Sequence, residues 1–186
     1  MSSLRPIDVN VSMDSLVPHR PPIQLLDRVI AASAERLLAS TTLTRQAPFS
    51  TVAGVPACIG LEYLGQAAAA FFSARLLLGN ARTETPTPRP GMLIGSRNYS
   101  CEQGFFPLDQ TLLIDITPSS ALAEAGLVKF RGAIHCVASS ELSKPGNLSD
   151  LEEFLFDAQP FAQGDLSVYL PDPNRLSETQ ASDQPN

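Results

Sequence analysis

The stretch from Pro56 to Leu78, PACIGLEYLGQAAAAFFSARLLL, constrains this chain more than any other, because it reads as one long helix that is apolar nearly all round. Pro sits at its first turn and Gly79-Asn80 follows as a stop signal. On a helical wheel Leu61, Leu64, Ala68, Phe71, Phe72 and Leu76 cover most of the circumference. Such a helix must be wrapped by other structure. Cys58, Gly65 and Ala69 are all small and leave a narrow slot along one side.

Into this surface the sequence sets one acid. Glu62, Gln66 and Ser73 fall within roughly 40° of one another at about 100° per residue, forming a single polar stripe. A carboxylate enclosed in apolar surroundings has its pKa raised towards neutrality, the condition a general acid needs near pH 7. Glu62 is therefore the first catalytic candidate. The competing reading is a core helix whose Glu62 is held by a structural partner such as an arginine. Cys58 lies one turn before Glu62, near the helix start, where a thiol pKa can be lowered. A small packed cysteine is the preferred reading of Cys58.

The rest of the chain supplies a sheet. Ile23 to Ala32 and Arg36 to Thr44 are rich in strand formers and are joined by the polar turn Ser33 to Glu35, which predicts a hairpin. Met92 to Cys101, Thr111 to Thr117 and Leu127 to Ala138 predict three further strands. Loops are expected at Arg45 to Ala53 and Ala81 to Pro90. Residues 140 to 170 are open to a sixth strand, a helix or a lid, with a capping-box pattern at Ser149 to Glu152 ahead of Phe154, Leu155 and Phe156. Residues 171 to 186 are polar and proline-bearing, and a disordered tail is expected there.

With 186 residues, 44% of them hydrophobic, one domain with a sizeable core is expected. A net charge of -6 with no run of Lys or Arg argues against nucleic acid as a partner. The opening MSSLRPIDVNVSMDSL has neither a basic nor an apolar leader pattern, and no apolar run reaches membrane length, so a cytoplasmic protein is expected. Three widely spaced cysteines without a CxxC, and two histidines, favour neither a metal site nor a disulfide. No cofactor is expected.

A hairpin, one enclosed helix and three antiparallel strands form the layout of an α+β hot-dog fold, a sheet of five or six strands wrapped around a central helix. Three motifs also carry a family resemblance. LVPHRPPIQLLDRVI at Leu16 to Ile30 resembles the N-terminal motif of 3-hydroxyacyl-acyl carrier protein dehydratases, GVPACIGLEYLGQAAAA their helix motif, and GLVKFRGAIHCVA their last core strand. Within that family the chain is most similar to the dehydratase-like proteins of aryl-polyene type gene clusters. The resemblance covers about residues 15 to 140, taken as the hot-dog core of a domain spanning 1 to 140, with 141 to 170 as an extension on it.

The resemblance implies a dimer with joined sheet edges and active sites between subunits, each using a histidine and an acid on the central helix. The acid corresponds to Glu62. The helix-start amides that polarise the thioester carbonyl correspond to Ala57 and Cys58, oriented donors for the charge that develops on that oxygen. Where the family carries its histidine this chain has Pro48, and Arg45 to Ala53 contain no histidine. Two other histidines remain. His19, in the PHRPP motif, reads as structural or as a catalytic candidate, whereas His135 reads as a solvent-facing strand residue.

Three functions stand on this reading. One is a hydro-lyase subunit for 3-hydroxyacyl-acyl carrier protein thioesters, in fatty-acid or polyene type biosynthesis, completed by a related hot-dog partner that brings the histidine. Another is a non-catalytic subunit that stabilises an active partner in a homo- or heterodimer. The third is an acyl thioesterase. An acyl channel would be lined by Tyr63, Gly65, Ala69 and Phe71 or Phe72, with Gln66 as a further substrate-binding candidate, residues that serve a plain core as readily. An acidic carrier protein would need a basic patch, for which Arg97, Lys129 and Arg131 on neighbouring predicted strands are the candidates, unless they are simply solvated strand faces.

Overall fold

The computed structural model describes residues 3–79, 88, 90–122, 126–138 and 148–171. Its centre is helix α1, Gly60–Leu78, entered through a 3-10 turn at Ala57–Ile59. Gly79 ends it in an extended conformation, its N–H returning to the Arg75 carbonyl. Around α1 runs a seven-stranded antiparallel sheet, in which Arg5–Pro6 (β1), Arg28–Ala32 (β2), Leu37–Thr42 (β3), Gln110–Leu122 (β7), Leu127–Ala138 (β8), Ala162–Tyr169 (β9) and Met92–Cys101 (β5) follow one another in space. Val55–Pro56 (β4) and Phe105–Phe106 (β6) make a separate two-stranded pair. A sheet wrapped about one long helix is the hot-dog arrangement that the sequence predicts.

The core forms where the sheet's inner face meets α1. Tyr63, Leu64, Ala67, Ala68, Ala70, Phe71 and Ala74 are buried, and Phe71, Phe72 and Phe130 meet edge to face with ring centres 5.6 Å apart. Such aromatic contacts add to the area they bury. Gly132 of β8 has no side chain because Leu64 occupies its place: a Cβ there would run into the leucine. In the single chain α1 is not covered all round, contrary to expectation. Leu61, Glu62, Gly65, Ala69 and Phe72 are only partly buried and Leu76 is exposed, along an arc of about 100°.

Two expected elements shift. The strand expected from Ile23 is β2 and begins only at Arg28, because Ile23 and Leu25 direct their backbone groups to the side chain of Gln66 on α1. Residues 140 to 170, where the sequence left strand, helix and lid open, hold both a helix and a strand. The strand β9 pairs antiparallel with β8 on one side and β5 on the other, so the boundary expected near residue 140 does not divide the architecture. The loop expected at 81 to 90, apart from Pro88 and Pro90, and the tail beyond Pro171 lie outside the described residues.

Helix α2, Leu148–Asp157, lies on the sheet's outer face, where Leu155 and Leu151 pack against Leu38, Leu113, Val137 and Ile30. Ser149 sits inside this helix, not ahead of it as a capping box requires. Glu152 instead reaches Arg36, at 3.7 Å, and Arg36 grips Asp115 through two hydrogen bonds of 2.9 and 2.7 Å. This layer corrects the reading of His135. Alternation does place it on the outer face, but its ring lies edge-on to Phe154 and only 4% of the residue is exposed.

Burial holds His135 below its usual pKa of 6.5, an effect that Arg36 reinforces and Asp115 opposes. Its Nδ1 has no hydrogen-bond partner among the described residues. The unfolded chain therefore binds a proton that the folded chain resists, so stability holds above about pH 6.5 and declines below it. Denaturant titrations at about pH 7.5 and pH 5 should give a lower midpoint at the acidic value, and His135→Leu should shrink the difference.

Candidate active site

Glu62 lies in the first turn of α1 and His19 on the loop before β2, and the fold brings them together: His19 Nε2 is 3.7 Å from Glu62 Oε1. The loop is anchored by buried Leu16 and Val17, and its backbone is narrowed by Pro18, Pro21 and Pro22. Arg20 braces it by donating through Nη1 to the carbonyls of Val17 at 3.0 Å and His19 at 2.8 Å. The sequence motif PHRPP is thus a histidine on a rigid mount. Nδ1 of His19 is buried and has no partner among the described residues.

Gln66, one turn along from Glu62, fixes the acid from the other side. Its Nε2 donates to Glu62 Oε1 at 2.8 Å and to the Ile23 carbonyl at 2.7 Å, while its Oε1 accepts from Leu25 N–H at 2.8 Å. Gln66 is fully buried and its amide is committed. It positions Glu62 and joins α1 to the His19 loop, so its amide is not free to bind substrate as expected. Among the described residues the other oxygen of Glu62, Oε2, has no hydrogen-bond or ion-pair partner. Glu62 itself is not enclosed: its side chain is 45% exposed in the single chain, so the expected apolar enclosure is corrected.

Other candidates separate cleanly. Tyr63 points into the core against Phe106, ring centres 6.1 Å apart, and burial pushes its phenol up to about 12, so it is core and not channel wall. Ala69 lies on the open arc of α1 with Gly65, beside whose Cα there is open space. Cys58 is exposed instead of packed.

At the helix start the Ala57 N–H donates to the Gly104 carbonyl at 2.9 Å, which removes it from the expected pair of carbonyl-polarising donors. The Ala57 carbonyl accepts from the Tyr99 hydroxyl, a phenol pushed well above its usual pKa by burial and so held protonated. Tyr99 went unnoticed in the sequence. Its signal is the pair Gly60 and Gly164, whose missing side chains make the slot that its ring fills.

Arg97, Lys129 and Arg131 are exposed on the outer face, but not on neighbouring strands as expected. β9 runs between β5 and β8 and sets Asp165 opposite both Arg97 and Arg131, with Arg131 Nε 3.8 Å from its Oδ1. The patch is basic but not purely so. Edge strand β5 carries three consecutive exposed apolar residues, Met92, Leu93 and Ile94. Among the described residues no group of three His, Cys, Asp or Glu comes together to hold a metal ion, and no helix is long and apolar enough to cross a membrane.

Comparison with known proteins gives the same architecture. The structure resembles a chain of the dehydratase heterocomplex ApeI:P from Xenorhabdus doucetiae, with a TM-score of 0.65 and 20% identity over 90% of this chain and 95% of that one. It also resembles the HP0420 homologue from Helicobacter felis, with a TM-score of 0.53 and 12% identity over 89% and 93% of the two chains. At these identities the likeness is one of fold alone. No curated protein matches the sequence. The family profile described as ApeP-like, ApeP dehydratase, matches residues 11–180, and on that match the chain belongs to the ApeP-like dehydratase family.

Proposed function

We propose that this protein is a hydro-lyase that converts 3-hydroxyacyl thioesters on acyl carrier protein to enoyl thioesters and water, in cytoplasmic fatty-acid or polyene type biosynthesis. The observation that carries this is the 3.7 Å approach of His19 Nε2 to Glu62 Oε1 within one chain. Elimination needs a base for the proton on C2 and an acid for the departing oxygen on C3, so the two groups must flank one carbon–carbon bond.

In this reading neutral His19 takes the C2 proton through Nε2. The electron pair forms the C2–C3 double bond, the C3–O bond breaks, and Glu62 gives its proton to the leaving hydroxyl as water. The imidazolium and carboxylate that remain are neighbours, and a proton passing from one to the other resets the site. Negative charge builds on the thioester oxygen during the first transfer. Since Ala57 N–H is already used, the Cys58 amide is the helix-start donor assigned to it.

A second reading keeps Glu62 as acid and takes the base from a related hot-dog partner. It is favoured by the absence of histidine from Arg45 to Ala53 and by the likeness to a chain of a dehydratase heterocomplex. The apolar edge of β5 suits a second subunit in either reading, since an exposed edge strand of this kind is otherwise a site of uncontrolled pairing. The deciding experiment incubates the purified chain, with and without such a partner, with 3-hydroxyacyl-carrier protein and identifies the product by mass spectrometry. Enoyl thioester from the chain alone supports His19 as base. Free acid would mark a thioesterase, and enoyl product that forms only with the partner and survives Glu62→Gln a structural subunit.

For carrier docking, Arg97, Lys129 and Arg131 gather around the single acid Asp165 at the β5–β9–β8 end of that face, and this local group suits an acidic partner. Replacing the three by Ala should weaken carrier binding at low salt by about 10-fold, with a smaller change near 0.5 M salt, where charges are screened. Surface plasmon resonance at the two salt concentrations reads this directly.

A further inference from the structure

We infer that the cleft at the C-terminal end of α1 is a binding site for a phosphate monoester. The cleft has a volume of about 460 Å³, and Arg5 of β1, Arg75 and Leu78 of α1, and Ser33 and Ala34 of the β2–β3 turn line it. That volume lies in the range of small-molecule sites, about 300 to 1,000 Å³, and exceeds what a bare phosphate needs.

Charge is the argument for an anion. The chain holds 19 acids and 13 Lys or Arg residues, yet among the described residues this cleft is lined by two guanidinium groups and by no carboxylate. Arg20, Arg36 and Arg131 each have a carboxylate within 4.0 Å, whereas among the described residues neither Arg5 nor Arg75 has one. Glu35, the acid of the β2–β3 turn itself, is not part of the lining. Arg5 spends Nη2 on the Leu78 carbonyl at 2.7 Å, which offsets the negative end of the helix and leaves its other donors. Arg75 stacks its guanidinium over the Phe71 ring at 5.5 Å, which restrains the group without using its N–H donors.

The remaining polar wall fits the same ligand. Ser33 is 2% exposed, and its Oγ accepts from Glu35 N–H at 3.2 Å, so its own proton is left to donate. Guanidinium forks and a hydroxyl are the donor types that match the oxygens of a phosphoryl group. Ala34 and Leu78 supply apolar surface for the organic part of an ester. Leu78 is 16 residues from Glu62, about 24 Å along the helix, so the site is separate from the acid and base above and stands whether or not that chemistry is right.

Isothermal titration of the full chain at constant ionic strength tests the assignment, with inorganic phosphate, phosphopantetheine and AMP as probes. Saturable binding is expected, with at least one ester tighter than inorganic phosphate by about 10-fold, and Arg75→Glu should weaken it by about 10-fold or more. Preference for phosphopantetheine would mark the arm of a carrier as the source, and preference for AMP a free nucleotide. Arg45→Glu, in the loop that follows β3 at the far end of that strand from the β2–β3 turn, should leave binding unchanged. No saturable binding up to about 10 mM of any probe, or equal loss in Arg75→Glu and Arg45→Glu, would overturn the site. Circular dichroism of both variants verifies that they are folded.

Discussion

Glu62→Gln is expected to lower dehydration by about 10² to 10⁴-fold while leaving the melting temperature nearly unchanged. The substitution is a mild one for the structure. A glutamine at 62 still presents a carbonyl oxygen to Gln66 Nε2, so the contact between the two side chains survives while the transferable proton does not. His19→Ala should cost a similar factor if its Nε2 is the base. The sharper test is the double variant. Residues that act as one unit are not additive, so removing both should cost little more than removing either. Steady-state rates for the two single variants and the double give the answer. Near-normal turnover in His19→Ala would move the base to a partner subunit and leave His19 as a structural contact of Glu62.

Much of that site was open to reading in the sequence, because one acid in an apolar helix violates patterning and such violations mark function or strain. The helical wheel grouped Glu62 with Gln66, and the fold joins them. What the wheel lacked was the direction of each side chain. Gln66 looked like part of a slot, yet its amide satisfies Ile23 and Leu25, residues more than 40 positions earlier, and a one-dimensional pattern carries no such pairing. His19 was a candidate only through its motif, since nothing local ties it to residue 62.

The outer face of the sheet failed for a related reason. Strand alternation separates two faces but does not say which has a second layer on it, and α2 turns an expected solvent-facing His135 into a buried one. The Arg97, Lys129 and Arg131 patch suffered from sequence order. β5 and β8 look like neighbours only if nothing later in the chain inserts between them. The strand that does so, AQGDLSVY, holds two polar residues, an acid and a glycine, and so lacks the run of strand formers that marks β7 and β8.

A chain ending at Gly146 should therefore fail to fold, although it contains all three motifs that carry the family resemblance. It lacks β9, which lies between β8 and β5 and bonds to both along their length. Ala162, Leu166 and Val168 of that strand are at most 5% exposed and belong to the main core. Burying one Leu or Val side chain contributes about 1.5–3 kcal/mol, so losing this pair and the Leu155 contact of α2 removes an amount comparable to the net stability of a domain, about 5–15 kcal/mol. Loss of β9 also leaves facing edges on β5 and β8, which favours aggregation. The expected result is the absence of a cooperative melt by circular dichroism and elution in the void volume. Leu166→Ala in the full chain is the graded version, with an expected loss of about 2–5 kcal/mol in denaturant titration. A truncated chain that melted cooperatively would mean that β5 can pair directly with β8, and the central placement of β9 would then be wrong.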